Sequence, residues 1–449
     1  MTTAMNIRMA AVKTAVVPIK NGMIQPADKQ CVSAGLLICL MLSRTSGKDG
    51  KGLMQKLRKF LGGVLFCLML FCGAALAQEA RDITGQCTLK GSLNPKMVLN
   101  VVDRDYQTYW RSQPGSKAWL EVTLPAGETC GSVYIKWAQQ NIRFCVQANT
   151  GTWVTVARCD TGRFAEYVPL PEDATSFRIV PDKGEKGRLI IAELYVLSPG
   201  EAPGWVQKWQ PPPEKADLLV LFAHPDDEVL FIGGTIPYYA GELQKKVVAA
   251  CVVPASSQRS LEVLDSLWLC GLRYYPSFGP MRDNFAMSLE GMYAKWRKEK
   301  LYHYVVWLLR RFKPDVVVSH DVQGEYGHGA HRATADAARQ AVVWAASAKR
   351  YSDSAKEFGV WKVPKLYLHL YKENMLDMDW RRPLNAFLGK TAFDIAQEGY
   401  ACHKSQQQTE YVVEDFGPYD NSQFGLVYTS VGPDVKKDDF FENISKAQH

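Results

Sequence analysis

The sequence predicts two folded domains: an antiparallel β-sandwich, then a Rossmann-like α/β domain on a parallel sheet with helices on both faces. Three observations predict this. Residues 82–198 hold short runs of alternating apolar and polar residues, punctuated by turn residues, as in a sandwich. Residues 217–449 alternate apolar strand-like runs with longer helical stretches, the order of a sheet covered by helices. Between the two lies a Pro/Gly-rich segment, 199–216.

In chain order, the N-terminus reads first as a leader. Met54 opens a basic stretch through Lys59, residues 61–76 are apolar, and Ala75-Leu76-Ala77 precedes Gln78. A basic start, an apolar core and small residues at the end are the parts of a secretory signal. The expectation is a signal peptide over 54–77, with 1–53 an upstream extension ahead of the true start. The apolar stretch falls short of the ~20 residues of a spanning helix, so no stable membrane span is expected after cleavage. An exported protein, in the envelope, the periplasm or outside the cell, follows. The whole chain carries +7, but residues 1–77 hold ten Lys or Arg against two Asp. The remainder is therefore near neutral, and no basic face marks a nucleic-acid partner.

The sandwich is read from runs at 119–124, 133–137 and 177–180. Trp110, Trp119, Trp137 and Trp153 fall at alternating positions, which places most of them in the core rather than on a sugar platform. Cys87, Cys130, Cys145 and Cys159 lie in this segment. In an exported domain they can pair in three ways, and the sequence does not choose. Cys251, Cys270 and Cys402 leave at least one thiol over. The prolines of 199–216 favour a stiff spacer.

The α/β domain is read from strands at 218–222, 247–253, 316–319 and 365–370. Helices are expected near 260–270, 293–312 and, Ala-rich, 332–346. From about residue 410 a tail of aromatic and acidic residues covers part of the domain, and 434–443 reads as a partly frayed end.

Two blocks carry the chemistry. The first strand runs into His224, Pro225, Asp226, Asp227 and Glu228. Pro225 cannot donate to a ladder, so the strand stops there. The polar cluster then sits at the C-terminal end of a strand, where open α/β sheets bind ligands. The strand at 316–319 ends in His320 and Asp321, followed by GEYGHGAH over 324–331. His328 and His331, three apart, share a face where a helix begins. His320 and Asp321 suit a loop-fixing role as well as a direct one. Two imidazoles and a carboxylate at strand ends suit a catalytic Zn²⁺ with an open position. The same set suits Fe(II).

The stretch 223–235, AHPDDEVLFIGGT, closely resembles the AHPDDE…GGT signature of the PIG-L/LmbE family of metal-dependent N-deacetylases. The stretch 324–338, GEYGHGAHRATADAA, resembles its G-x-x-GHPDH block, with Gly329-Ala330 where the family has Pro-Asp. Weaker matches are 258–262, resembling an Arg…Glu helix start, and 401–406, resembling an H-x-SQ segment. The resemblance covers about 215–410. It implies His224, Asp227 and His331 as metal ligands and Asp226 as general base. It implies His328 as oxyanion stabiliser or proton donor to the leaving amine. It further implies Arg259, Asp283 and His403 on the substrate side. The implied activity is removal of an N-acetyl group from an N-acetylglucosamine-containing sugar or glycan by metal-activated water. Two alternatives stay open: a non-catalytic carbohydrate-binding protein with an inactive deacetylase fold, because Ala330 removes a carboxylate, and an amidase for another N-acyl group.

In the first domain, the stretch 102–110 and the closing run 191–196 resemble the discoidin (F5/8 type C) galactose-binding-like family. This implies a jelly-roll sandwich, a glycan ligand and a structural Ca²⁺. Asp103, Asp105, Thr108 and Glu193 offer oxygen donors of the kind Ca²⁺ takes.

Overall fold

The computed structural model describes residues 78–254 and 256–444. The expected signal peptide over 54–77 and the extension before it lie outside the described residues. Nine strands form the first domain: β1 (Thr88–Gly91), β2 (Trp110–Arg111), β3 (Leu120–Thr123), β4 (Ser132–Trp137), β5 (Phe144–Asn149), β6 (Trp153–Cys159), β7 (Ala165–Pro169), β8 (Ser176–Pro181) and β9 (Ile190–Leu197). They pair antiparallel in two sheets, β1-β3-β8-β5-β6 and β2-β9-β4-β7. Alternation puts Leu120, Val122, Phe177 and Ile179 of one sheet inward, against Val133, Ile135 and Leu194 of the other, as in a sandwich core. Trp110 and Trp137 belong to that core, whereas Trp119 and Trp153 are half-buried.

All seven described cysteines are free thiols. The β5–β6 register sets Cys145 opposite Arg158 and Phe144 opposite Cys159. Directly opposed residues share a face, so Cys145 and Cys159 point to opposite sides of their sheet.

The second domain holds β10 (Leu218–Phe222), β11 (Val247–Cys251), β12 (Ser277–Phe278), β13 (Val316–Ser319), β14 (Lys365–His369), β15 (Met375–Asp377) and β16 (Gln423–Thr429). Its helices are α1 (Asp227–Leu230), α2 (Ser257–Leu269), α3 (Leu289–Lys295), α4 (Lys298–Phe312), α5 (Gly329–Trp344), α6 (Ser352–Phe358) and α7 (Ala392–Ala401). The sheet order is β12-β11-β10-β13-β14-β16-β15. The first five strands are parallel, and β16 runs antiparallel between β14 and β15. β10, β11, β13 and β14 are buried on both faces, which is why they read as unbroken apolar runs. The chain reverses direction across the sheet between β10 and β13, and that is where a ligand crevice opens.

Three elements differ from expectation. The helix expected over 293–312 is two, because Trp296 and Arg297 take extended backbone between α3 and α4. The tail does more than cover the domain: β16 is a strand of the sheet. The end at 434–443 is not frayed. Asp434 is buried and accepts a hydrogen bond from the fully buried Lys365, and Phe440 packs on Tyr367 and Phe424. Lys365→Met would leave the Asp434 carboxylate buried without its cation. The expected loss is about 3–5 kcal/mol of folding stability, read from denaturant midpoints.

The segment 199–216 is not a free spacer but part of a shared interface. Val206 and Trp209 are buried, and Trp209 meets Trp268 of α2 at 5.2 Å. Lys136 of β4 donates to Asp265 of α2 at 2.5 Å, and Tyr106 and Gln207 donate to the same carboxylate at 2.7 and 2.5 Å. Phe164 packs edge-on to Phe278 at 5.0 Å. These contacts fix the sandwich against the helix that begins beside the site.

Candidate active site

β10 delivers Ala223 to Glu228 to the crevice, and β13 with the loop after it delivers His320 to His331. Ala223 N–H donates to His320 Nε2 at 2.9 Å, joining the two strand ends. His224 N–H donates to Asp227 Oδ2 at 2.6 Å, and Asp226 N–H to Glu228 Oε2 at 2.8 Å. The turn is tight enough that Asp226 stands at φ 115°, ψ −31°. A non-glycine residue there is strained, and such strain gathers at functional sites. Gly234 closes the block against the core: a Cβ there would lie 2.6 Å from Trp380.

The groups that can bind a metal converge. Among the described residues, two sets of three ligand atoms lie within 4.8 Å of one another: His224, His328 and His331, and Asp227, His320 and His331. The expected trio of His224, Asp227 and His331 is not itself one of these sets: His224 belongs to the first, Asp227 to the second and His331 to both. Asp227 Oδ2 is 3.3 Å from His224 Nδ1, and Asp227 Oδ1 is 3.3 Å from His331 Nε2.

The donor chemistry separates ligands from supports. His331 Nδ1 meets Glu325 Oε2 at 2.8 Å, while its Nε2 is buried with no hydrogen-bond partner. A carboxylate behind Nδ1 leaves the Nε2 lone pair bare and aimed inward, the state of a metal-ligating imidazole. His320 is spent on both sides: Nδ1 meets Glu325 Oε2 at 2.9 Å, and Nε2 accepts from Ala223. The residues present offer donors of the kind a dication takes, the expected His224, Asp227 and His331 among them, with His320 Nε2 3.3 Å from Asp227 beside them.

Glu325 organises this centre. Its Oε1 meets His369 Nδ1 at 2.7 Å, so three imidazoles share one fully buried carboxylate. Burial would raise its pKa, but His320 and the imidazole hydrogen bonds hold it well below the usual range. His369 in turn reaches the Asp420 carbonyl at 2.9 Å, tying the tail to the site.

Asp226 and His328 flank the ligands. Burial and the neighbouring Asp227 push Asp226 up to about 7, against the pull of Arg259. Arg259 Nη2 donates to Asp226 Oδ2 at 3.1 Å and to the Pro225 carbonyl at 2.5 Å, while Nη1 lies 3.6 Å from Asp283. Burial, with His331 and His224 nearby, pulls His328 down to about 3, so the ring is neutral. Its Nδ1 accepts from Ala330 N–H at 3.2 Å, capping α5. The ring hydrogen is then on Nε2.

The glycine of the Gly329-Ala330 departure has a structural reason. Gly329 N–H donates to the Ala286 carbonyl at 2.6 Å, and a Cβ on Gly329 would lie 2.5 Å from the Ser288 carbonyl. Proline offers no N–H and adds a ring. Gly329→Pro is therefore expected to displace the 286–288 segment and cost about 1–3 kcal/mol, as a lower thermal midpoint checks.

The pocket holds ≈ 150 Å³, lined by His224, Asp226, Asp227, Arg259, Asp283 and His328 together with Tyr326, Gln406, Thr409 and Tyr411. His403 does not line it. It is fully buried, with Nε2 2.6 Å from Glu228 Oε1. The two weaker sequence matches touch, since Ser405 N–H and O–H donate to Glu262 at 2.9 and 2.5 Å. Tyr326 and Tyr411, stacked at 4.5 Å, belong to the site without a sequence signal of their own. The eight histidines held a signal for the buried layer: His224, His320, His328, His331, His369 and His403 are all buried here.

The residues offered for Ca²⁺ are placed otherwise. Asp103 accepts from Asp105 N–H at 3.0 Å and Thr108 Oγ at 2.7 Å, within one turn. Glu193 is turned to Arg104, 3.1 Å away, and Arg104 also pairs with Asp82 at 2.8 Å. A guanidinium thus meets Glu193 Oε2, while Oε1 is buried with no hydrogen-bond partner.

Fold and site together define an α/β domain with a His/Asp metal-type centre at the topological switch of its sheet. The family model described as GlcNAc-PI de-N-acetylase, PIG-L, matches residues 219–342, and this stretch is a PIG-L domain. The chain is similar to 1D-myo-inositol 2-acetamido-2-deoxy-alpha-D-glucopyranoside deacetylase of Rhodococcus erythropolis, 28% identical over 33% of this chain and 59% of the relative. A namesake from Rhodococcus jostii is 29% identical over 36% of this chain and 63% of its own. The chain thus spans about six-tenths of these relatives' length. Among solved structures, it is similar to the N,N'-diacetylchitobiose deacetylase from Pyrococcus horikoshii, with TM-score 0.33 and 19% identity, over 44% of this chain and 74% of that one. The family 32 CBM from C. perfringens NanJ in complex with galactose gives TM-score 0.22 and 20% identity, over 26% of this chain and 99% of that one.

Proposed function

We propose that this chain is an exported, metal-dependent hydrolase that removes the N-acetyl group from an N-acetylglucosamine-containing sugar or glycan. The observation that carries this reading is the bare, buried Nε2 of His331 facing Asp227, with Asp226 held in strain beside it. The deacetylase relatives support the reaction class. The basic and apolar leader at 54–77 supports export.

His224, Asp227 and His331 would hold a zinc or ferrous ion, which would supply Lewis-acid activation of water and of the amide carbonyl. Asp226, near neutrality in its proton affinity, takes the proton from the attacking water. The Nε2–H of His328 donates to the carbonyl oxygen as charge gathers there. A neutral imidazole in a dry pocket is better suited to this than to giving up its proton. Asp226 then returns the proton to the departing nitrogen as the C–N bond breaks, leaving acetate and a free amine. Arg259 and Asp283, at the rim and paired with one another, hold sugar hydroxyls.

The test is acetate release from N-acetylglucosamine and its oligomers by the full chain, with Asp226→Asn as control. Acetate formation lost in the control is the expected result. Metal binding with no acetate from any acetamido sugar would contradict the substrate, and neither would favour the carbohydrate-binding alternative. That alternative rests on the carboxylate that Ala330 lacks, and the hydrogen bond of Gly329 to Ala286 accounts for the glycine alone.

A further inference from the structure

The active-site pocket is small for a whole ligand. At ≈ 150 Å³ it lies below the ~300–1,000 Å³ that ligand pockets span. It takes the reacting acetamide and part of one ring. The rest of a larger substrate must lie outside it.

The molecule offers a second, larger cavity between the two domains. A cleft of ≈ 530 Å³ is walled by Gln139, Gln140 and Tyr109 of the sandwich, and by Pro254, Ser257, Ser260 and Gly279 of the α/β domain. Its α/β walls adjoin active-site residues in sequence, although the two cavities share no lining residue. Ser257 and Ser260 flank Arg259 on the first turns of α2, and Gly279 leads into the loop that carries Asp283. The sandwich wall is held in place by the Lys136–Asp265 bridge onto the same helix. Gln139 and Gln140 are exposed, with amides free for ligand hydroxyls, and the half-buried Phe278 gives an apolar side. Amides, hydroxyls and an aromatic edge, with little charge, fit a neutral, hydroxyl-rich chain better than an ionic one.

The cleft also continues. Gln139, Gln140 and Ile190 wall a further cavity of ≈ 360 Å³ in the sandwich, which Arg111, Lys186 and Arg188 also line. Trp137 lines that cavity, and its indole N–H is buried with no hydrogen-bond partner.

We propose that the interdomain cleft binds the part of an oligosaccharide substrate beyond the reacting residue, so that the sandwich supplies substrate subsites through Gln139 and Gln140. This rests on the deacetylase reading above. The probes are N-acetylglucosamine and its tetramer, with the full chain and the double variant Gln139→Ala/Gln140→Ala. For the parent, kcat/KM should be at least about tenfold higher on the tetramer than on the monosaccharide, and the variant should lose about tenfold of that ratio. A parent with no length preference, or a variant that keeps it, overturns the proposal while leaving the deacetylase reading intact. If neither sugar is cleaved, that reading fails, and the cleft is judged by calorimetric titration of the tetramer. Binding weakened about tenfold in the variant supports the cleft, and equal or absent binding overturns it.

Discussion

Asp226→Asn is expected to lower kcat on an N-acetylated sugar by about 10²–10⁴-fold, the contribution of a positioned general base. The change should leave metal content near that of the parent. Asp226 is not one of the bridging contacts among His224, Asp227 and His331, and asparagine tolerates the positive φ of this turn better than most residues. What is lost is proton affinity. The carboxylate sits close to water's entry, held by Arg259 and raised toward neutrality by burial and Asp227. An amide keeps the hydrogen bond to Arg259 but takes no proton from water and returns none to nitrogen. Acetate release per bound metal measures the effect. A variant within threefold of the parent would take the base role away from Asp226.

The second large effect is at Glu325. Glu325→Gln is expected to weaken metal binding about 10–100-fold, the usual cost of losing a partner behind a ligand. It should also cost about 3–5 kcal/mol of stability. One oxygen of Glu325 takes His320 and His331, and the other takes His369. A glutamine has a single acceptor oxygen, and its amide hydrogens would point at an imidazole N–H. At least one ring must turn, and His331 turning removes its bare Nε2 from the centre. Metal titration reads the first loss and a denaturant midpoint the second. Normal affinity in the variant would mean that Glu325 only fills space.

The sequence made the strands that carry the candidate site legible because their signals are local. β10 is an apolar run ended by Pro225, and His224, Asp226 and Asp227 follow at once. The same held for His328 and His331, three apart at a helix start. Glu325 was harder to read, since its role comes from three rings, one of them His369 on a different strand. His403 was expected at the substrate, yet it is packed on Glu228 below the turn, because a helix end 175 residues away brings it there. β16 carried no clear period, and only tertiary pairing with β14 and β15 defines it. For the same reason the ion pair of Lys365 and Asp434 hid the order of the tail. Asp103, Asp105 and Glu193 are oxygen donors by type, but their sequence did not show that Arg104, inside the same motif, pairs with Glu193 and Asp82.

The measurement that tests the central claim most directly is metal content and acetate release on one preparation of the full chain. Both would be followed before chelation, after chelation, and after zinc or ferrous ion is returned. About one metal ion per chain, acetate release that falls away with chelation, and recovery on reloading are the expected results. Acetate release that persists in metal-free protein, or a site that takes up no zinc or iron, would contradict the account.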